Sequence, residues 1–241
     1  MEYFCITDKG LVREKNQDSY IAISNTYSDF LVLVADGIGG GRAGEVASGE
    51  LIRYFDEVFK ESGPFTALED TMNYLSYHVN VANRHIYELS RDYKEYAGMG
   101  TTLTGVMFSS KGVVTINCGD SRVYGFIDDM MVPLTVDHTL INDMLEKGEI
   151  TYEESLNHPK KHYLLKAVGI YPGCTPDVHH VQEMDYYLVC SDGLHAYVSD
   201  EEIRQIVLKK DSSVKDKVIE LRDLALLKGG FDNITIVLIK R

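Results

Sequence analysis

The sequence predicts an α+β fold in which β-sheets pack on one another beneath covering helix pairs, and three features point there. Candidate strands and helices fall in blocks (strands, a helix pair, strands, a second helix pair, a closing strand), not in the βαβα alternation of a doubly wound sheet. The strand candidates between residues 101 and 135 follow one another through very short connections, which suit antiparallel meanders and exclude parallel crossovers. A chain of 241 residues that is 44% hydrophobic and 10% aromatic can also build a large core. No internal repeat, low-complexity tract or Ser/Gly/Pro linker divides it, so residues 1–241 read as a single domain.

Each element has its own signal. Apolar or alternating runs at 3–7, 20–24, 30–35, 101–108, 113–118, 122–127, 186–190 and 234–240, most bounded by Gly, Asp, Ser or Asn, predict strands. Helical periodicity instead marks 43–60 and 67–93, where Leu68, Met72, Leu75, His78, Val79, Ala82 and Ile86 recur at three and four residues. The pattern returns at 200–208 and 213–227, with Ser199 or Asp200 and Ser212 or Ser213 as N-caps and Gly229-Gly230 as a stop. From about 138 to 177 periodicity weakens into short helical pieces with Pro159, Lys160-Lys161, Pro172 and Pro176, read as a mobile excursion within the domain.

Charge and cysteine usage exclude several function classes. With 24 Lys plus Arg against 37 Asp plus Glu the net charge is −13, which argues against duplex nucleic acid or an anionic membrane as partner. Acidity alone keeps a protein soluble, but it is also what a chain holding divalent cations shows. Cys5, Cys118, Cys174 and Cys190 lie far apart with no CxxC pair, as expected of reduced thiols in a cytoplasmic protein. The N-terminal residues have neither a basic segment nor a long apolar stretch, and no run of about 18 apolar residues occurs, so neither secretion nor membrane insertion is expected.

The informative feature is what ends the apolar runs. FLVLVADG ends in Asp36-Gly37, VVTINCGD in Asp120 and YYLVCSDG in Asp192-Gly193, while Asp232 opens the last strand and Asp18 precedes SYIAI. A single Asp-Gly is an ordinary turn dipeptide. A sheet, however, gathers strand ends in space, and converging carboxylates repel and take up protons unless cations neutralise them. An all-oxygen cluster suits Mg²⁺ or Mn²⁺ rather than zinc, and a pair of such ions polarises water and clamps a phosphoryl group.

Other motifs are weighed against this one. Gly39-Gly40-Gly41-Arg42-Ala43-Gly44 matches the dinucleotide fingerprint G-x-G-x-x-G after a strand and before a helix. Against a nucleotide, Asp36 would crowd the pyrophosphate, Asp56 and Glu57 come early for the ribose, and no second βαβ unit follows. The glycines are better read as letting backbone pass close to a metal or phosphate. His158 and His162 have i,i+4 zinc spacing but lack the intervening Glu, and His179-His180 would face opposite sides of a strand. His138 is read as a packed, hydrogen-bonded histidine ahead of a proton carrier, Asp137 and Asp143 are ambiguous, and the tyrosines at 74, 77, 87, 93 and 96 read as amphipathic packing.

Seven segments, in order, carry a family resemblance: Arg13-Glu14-Lys15-Asn16-Gln17-Asp18, Val34-Ala35-Asp36-Gly37-Ile38-Gly39-Gly40, Gly98-Met99-Gly100-Thr101-Thr102, Gly119-Asp120-Ser121-Arg122, Leu134-Thr135-Val136-Asp137-His138, Ser191-Asp192-Gly193-Leu194 and Asp232-Asn233-Ile234-Thr235. In these the chain resembles the metal-dependent protein serine/threonine phosphatases of the protein phosphatase 2C family, in their bacterial stand-alone form. The resemblance covers essentially the whole chain. It implies a four-layer αββα fold, a central antiparallel β-sandwich flanked by helix pairs, with two Mn²⁺ or Mg²⁺ ions in a cleft at one edge.

Carried over by position, the resemblance implies that Asp36 bridges both ions, the Gly37 carbonyl holds one, and Asp192 and Asp232 bind the other. Asp18 is similar to the acidic position that reaches a metal through water, and Asp120, sharing Asp192, to the ligand set of a third, weaker ion. Arg13 resembles the phosphate-binding arginine, as a guanidinium's charged bidentate fork suits. The implied reaction is direct attack of a metal-bridging hydroxide on phosphoserine or phosphothreonine. Two positions depart from the pattern: Ile38, where some relatives carry a histidine able to protonate the leaving alkoxide, and Lys166, where an arginine is common. The excursion at about 139–177 resembles the variable flap beside the cleft. The resemblance also implies phosphoprotein substrates, a membrane-anchored serine/threonine kinase as opponent, and a cytoplasmic monomer. A two-metal hydrolase of small phosphoesters and a catalytically silent binding module of the same fold are the alternatives.

Overall fold

The computed structural model describes residues 1–39, 43–156, 158–160 and 163–241. Two antiparallel sheets form its centre. One runs β1 (Glu2–Asp8), β11 (Ile234–Lys240), β10 (Tyr186–Cys190), β7 (Arg122–Ile127) and β8 (Met130–Pro133). The other runs β2 (Asp18–Ser24), β3 (Phe30–Ile38), β5 (Leu103–Ser109), β6 (Gly112–Cys118) and β9 (Asp177–Val181), with β4 (Gly100–Thr101) paired to the far end of β3.

Alternation of side chains sorts the core into three apolar layers. Phe30, Val32 and Val34 of β3 point into the space between the sheets, where Val106, Val123, Tyr187, Val189 and Val237 meet them. The intervening Leu31, Leu33 and Ala35 face outward onto α1 (Ala43–Lys60) and α2 (Leu68–Asp92), packing with Leu51, Phe55, Leu75 and Val79. On the opposite side Leu188, Cys190, Ile236 and Leu238 pack against α5 (Asp192–His195), α6 (Asp200–Val207) and α7 (Val214–Leu227). Helices, sheet, sheet, helices is the four-layer arrangement expected. Because both faces of β3 are buried, its sequence reads as a continuous apolar run, not an alternating one.

Local chemistry sets the boundaries. Ser199 caps α6 in a reciprocal box with Glu202, and Ser213 caps α7 by accepting from the Asp216 N–H. Helix α7 stops where the Gly230 N–H reaches back to the Ala225 carbonyl, with Gly229 and Gly230 both at positive φ. Two differences from expectation stand out. The strand anticipated at 101–108 is broken at Thr102, whose N–H is diverted to the Asp36 carbonyl. Strands β8 and β9 lie at sheet edges with largely solvated residues, which erases the periodicity a sequence reading depends on. The short helical pieces expected after 138 are α3 (Leu140–Glu146) and α4 (Tyr152–Leu156).

Candidate metal centre

The site is built where strands of both sheets end side by side. In the β2–β3 ladder Asp18 stands directly opposite Asp36, so two carboxylates are held on one face by register alone. The backbone of Asp36 is fixed from the next strands: its N–H donates to Thr102 Oγ1 at 3.0 Å, and its carbonyl accepts from Thr102 N at 2.8 Å and Thr101 Oγ1 at 2.9 Å. Thr102 Oγ1 also meets Ser121 Oγ at 2.8 Å, tying this strand end to the Gly119–Arg122 segment. Gly37 follows, pressed so closely on the Gly44 carbonyl and the Gln17 carbonyl that a Cβ would overlap both.

The second sheet supplies Asp192 and Asp232. Gly193, after Asp192, lies against the Asn233 carbonyl with no room for a side chain, which clasps the Ser191–Leu194 and Asp232–Thr235 segments together. Asn233 does the rest: its Oδ1 accepts from Gln17 N at 2.8 Å, and its Nδ2 donates to the carbonyls of Lys9 and Lys15, each at 2.8 Å. The loop pinned in this way carries Arg13, whose Nη2 donates to Asp232 Oδ2 at 2.6 Å while half the side chain stays exposed. The flanking Asp232, Asp192 and Asp36 carboxylates raise the Arg13 pKa, first through the hydrogen bond to Asp232.

The carboxylates bear on one another electrostatically. Asp36 is pushed well above the ordinary carboxylate range, first by burial and then by the charges of Asp18, Asp192, Asp120 and Asp232. Asp18 is raised to about 7 by burial, although Ser191 Oγ and Thr235 Oγ1 both donate to its Oδ2 at 2.7 Å. Its Oδ1 is buried without a hydrogen-bond partner. Asp120 is likewise raised to about 7, by burial and by Asp192 and Asp137. Arg13 is the one cation paired with the group among the described residues, and no three His, Cys, Asp or Glu side chains there are drawn into a ready-made cation cage. Excess buried negative charge, an orphaned carboxylate oxygen and donors that are all oxygen fit hard divalent cations.

All seven residues singled out in the sequence, Arg13, Asp18, Asp36, Gly37, Asp120, Asp192 and Asp232, therefore lie at one edge of the sandwich. The other candidates have structural partners. Asp137 receives Arg122 through both Nε and Nη2, at 2.8 and 2.7 Å, and Asp143 pairs with Lys147 on the surface. His138 accepts from the Gly119 N–H at its Nδ1 and turns Nε2 toward Asp177 and Lys166, which leaves it no proton to offer the cleft. Burial lowers its pKa. His179 and His180 sit on β9 opposite Thr115 and Val114, and Tyr74 and Tyr77 pack around His78 on α2. His162, and Gly40, Gly41 and Arg42 of the nucleotide fingerprint, lie outside the described residues.

Several residues that shape the site were not anticipated. His195, buried and neutral with its pKa lowered to about 3 by desolvation, donates from Nε2 to the Asp120 carbonyl at 2.9 Å. With His138 on the preceding Gly119 N–H, two imidazoles hold the Gly119-Asp120 turn from either side. Gln17, Ser191, Asn233 and Thr235 are the other supports. All lie within or beside the quoted segments, so adjacency to the carboxylates was the signal available.

Comparison with known proteins gives a consistent picture. The family model for protein phosphatase 2C matches residues 12–217. The serine/threonine phosphatase stp of Listeria innocua serovar 6a is 36% identical over 237 residues, covering 98% of this chain and 94% of that protein. Serine/threonine phosphatase Stp1 from Staphylococcus aureus superposes with a TM-score of 0.93 at 32% identity, covering 100% of this chain and 94% of that one. The catalytic domain of the serine threonine protein phosphatase PstP, solved in complex with 2 manganese ions, gives 0.83 at 32% identity, covering 98% and 96%.

Proposed function

Since this chain belongs to the protein phosphatase 2C family, we propose that it is a metal-dependent protein phosphatase that hydrolyses phosphoserine and phosphothreonine in proteins. The observation that carries the reading is the pocket of five mutually repelling carboxylates with Arg13 at its rim. Two Mn²⁺ or Mg²⁺ ions would be held by Asp36, the Gly37 carbonyl, Asp192 and Asp232, with Asp18 acting through water and Asp120 with Asp192 taking a third. When bound, such ions acidify the attacking water and neutralise charge on the phosphoryl group.

The chain's own residues do the positioning. Arg13 is anchored to Asp232 through Nη2, and its exposed guanidinium offers the remaining N–H donors to two phosphoryl oxygens. Asp18 is locked by Ser191 and Thr235, which keeps the floor of the pocket rigid. Among the described residues, Ile38 has no proton to give the leaving group, His138 is held between the Gly119 N–H and Asp177, and His195 is committed to the Asp120 carbonyl. Water is the donor to the departing alkoxide. Residues 139–177 act as a flap: Ile141, Asn142, Ser155 and Leu156 line, with Asp120, Asp192 and Tyr197, a cavity of about 380 Å³ beside the carboxylates.

We read residues 1–241 as one catalytic domain working as a cytoplasmic monomer. That reading agrees with four free thiols and with the absence, among the described residues, of a helix long and apolar enough to cross a membrane. A serine/threonine kinase must supply its substrates, and a membrane-anchored one is the opponent the reading favours. The test is hydrolysis of a phosphothreonine peptide with and without Mn²⁺. Turnover should vanish on chelation, fall at least 10³-fold in Asp192→Ala, and show a KM raised about tenfold in Arg13→Ala. Turnover that survives chelation or Asp192→Ala would overturn the reading, as would metal binding with hydrolysis of small phosphoesters alone.

A further inference from the structure

Cys118 and Cys174, 56 positions apart in the chain, have their sulfur atoms 3.2 Å apart. Cys118 ends β6 and is followed directly by Gly119 and Asp120, while Cys174 lies in the loop that leads from the flap into β9. The contact is roofed by α2, where Asn80 Oδ1 accepts the Cys174 N–H at 3.4 Å. Neighbouring β6 and β9 pair in register, Asn117 opposite Asp177, so the two thiols sit on backbone that is already fixed on one side.

We propose that Cys118 and Cys174 are a site of reversible disulfide formation, closed by a peroxide oxidant, that tethers the flap's exit to the end of the strand that leads into Asp120. The sulfurs need approach by little more than 1 Å to reach a bond length of about 2.05 Å. Cys118 is fully buried and Cys174 8% exposed, but the latter follows exposed Tyr171, Pro172 and Gly173, so a molecule as small as hydrogen peroxide meets Cys174 first. The pair shares one S–H···S contact: as its acceptor Cys174 is held below the ordinary thiol range, helped by Lys166 and opposed by burial, while Cys118 is pushed up.

The chemistry balances in two steps. The Cys174 thiolate attacks one peroxide oxygen, the O–O bond breaks, and Cys174 becomes a sulfenic acid as hydroxide leaves. Cys118 then attacks that sulfur, forming the S–S bond and releasing its proton with the sulfenic oxygen as water. Two thiols are oxidised and one peroxide is reduced. A dithiol reductant reverses the bond by exchange.

The test is peptide mapping of the intact, full-length chain after brief hydrogen peroxide treatment. The expected result is loss of two hydrogens from the intact mass, a linked peptide pair containing Cys118 and Cys174, and restoration of both thiols by dithiothreitol. Amide exchange across 171–177 should slow in the oxidised chain and recover on reduction. A Cys174→Ser variant, checked for an unchanged melting profile, should form no disulfide and leave Cys118 reduced. Oxygen addition without the link, a link through Cys5 or Cys190, or linkage persisting in Cys174→Ser would overturn the proposal. None of these readouts depends on phosphatase turnover, so this site and the proposed function fail separately.

Discussion

Two groups of carboxylates lie close together in this molecule and are treated oppositely. Asp137 is gripped by both arms of Arg122, whose Nη1 also donates to Tyr124, and Asp177 faces Lys166 and His138. Their charge is balanced by the protein. Asp18, Asp36, Asp120, Asp192 and Asp232 crowd the strand ends, where among the described residues Arg13 pairs with Asp232, and burial together with neighbouring carboxylates raises Asp18 and Asp120 to about 7. Burying a carboxylate without a counter-charge costs several kcal/mol, so a fold that does so repeatedly at one spot is built around cations it does not itself supply. On the proposed function, the balanced group holds structure together, whereas the unbalanced one does chemistry.

The contrast breaks if both groups respond alike to substitution. The largest expected effect is in the balanced group: Asp137→Ala strands the Arg122 guanidinium and should lower unfolding free energy by about 3–5 kcal/mol, with or without Mn²⁺. Urea denaturation in chelator and in Mn²⁺ measures it. If the loss disappeared in Mn²⁺, the two groups would not be independent.

In the unbalanced group a charge removed should stabilise. Native Asp18 keeps its proton up to about pH 7, whereas the unfolded chain releases it near 3.8. Between those values unfolding releases a proton, so this residue makes stability fall as pH rises. Asp18→Asn keeps an oxygen for Ser191 and Thr235 without the charge, and in chelator should gain about 2–4 kcal/mol over wild type above pH 7. The gain should shrink to nothing near pH 4, and also in Mn²⁺ at neutral pH. A loss of stability at neutral pH in chelator would put Asp18 in the balanced group.

Sequence alone revealed the carboxylates but not what surrounds them. Asp36, Asp120, Asp192 and Asp232 were legible because buried strands read as apolar runs, and these residues punctuate the runs. Asp18 was legible for the same reason, yet its Ser191 and Thr235 partners lie 173 and 217 residues away and depend on how the two sheets stack. The Arg122–Asp137 grip was missed because it needs the chain to turn back through β8, an edge strand without clear periodicity. Cysteines read as scattered come together at Cys118 and Cys174 for a similar reason, since β9 gave no strand signal to bring position 174 alongside β6. Propensity and periodicity report each element's own burial, and cross-sheet contacts have no counterpart in either.

The most direct measurement is titration of chelator-treated protein with Mn²⁺ by calorimetry in buffers of different ionisation enthalpy. At neutral pH the chain should take up at least two ions, releasing protons as Asp18 and Asp120, raised to about 7, and Asp36, raised well above the ordinary carboxylate range, ionise, and Asp36→Asn or Asp192→Asn should abolish the tighter binding. Saturation without proton release, or unchanged binding in both variants, would contradict the claim that these strand-end aspartates form one pocket completed by divalent cations.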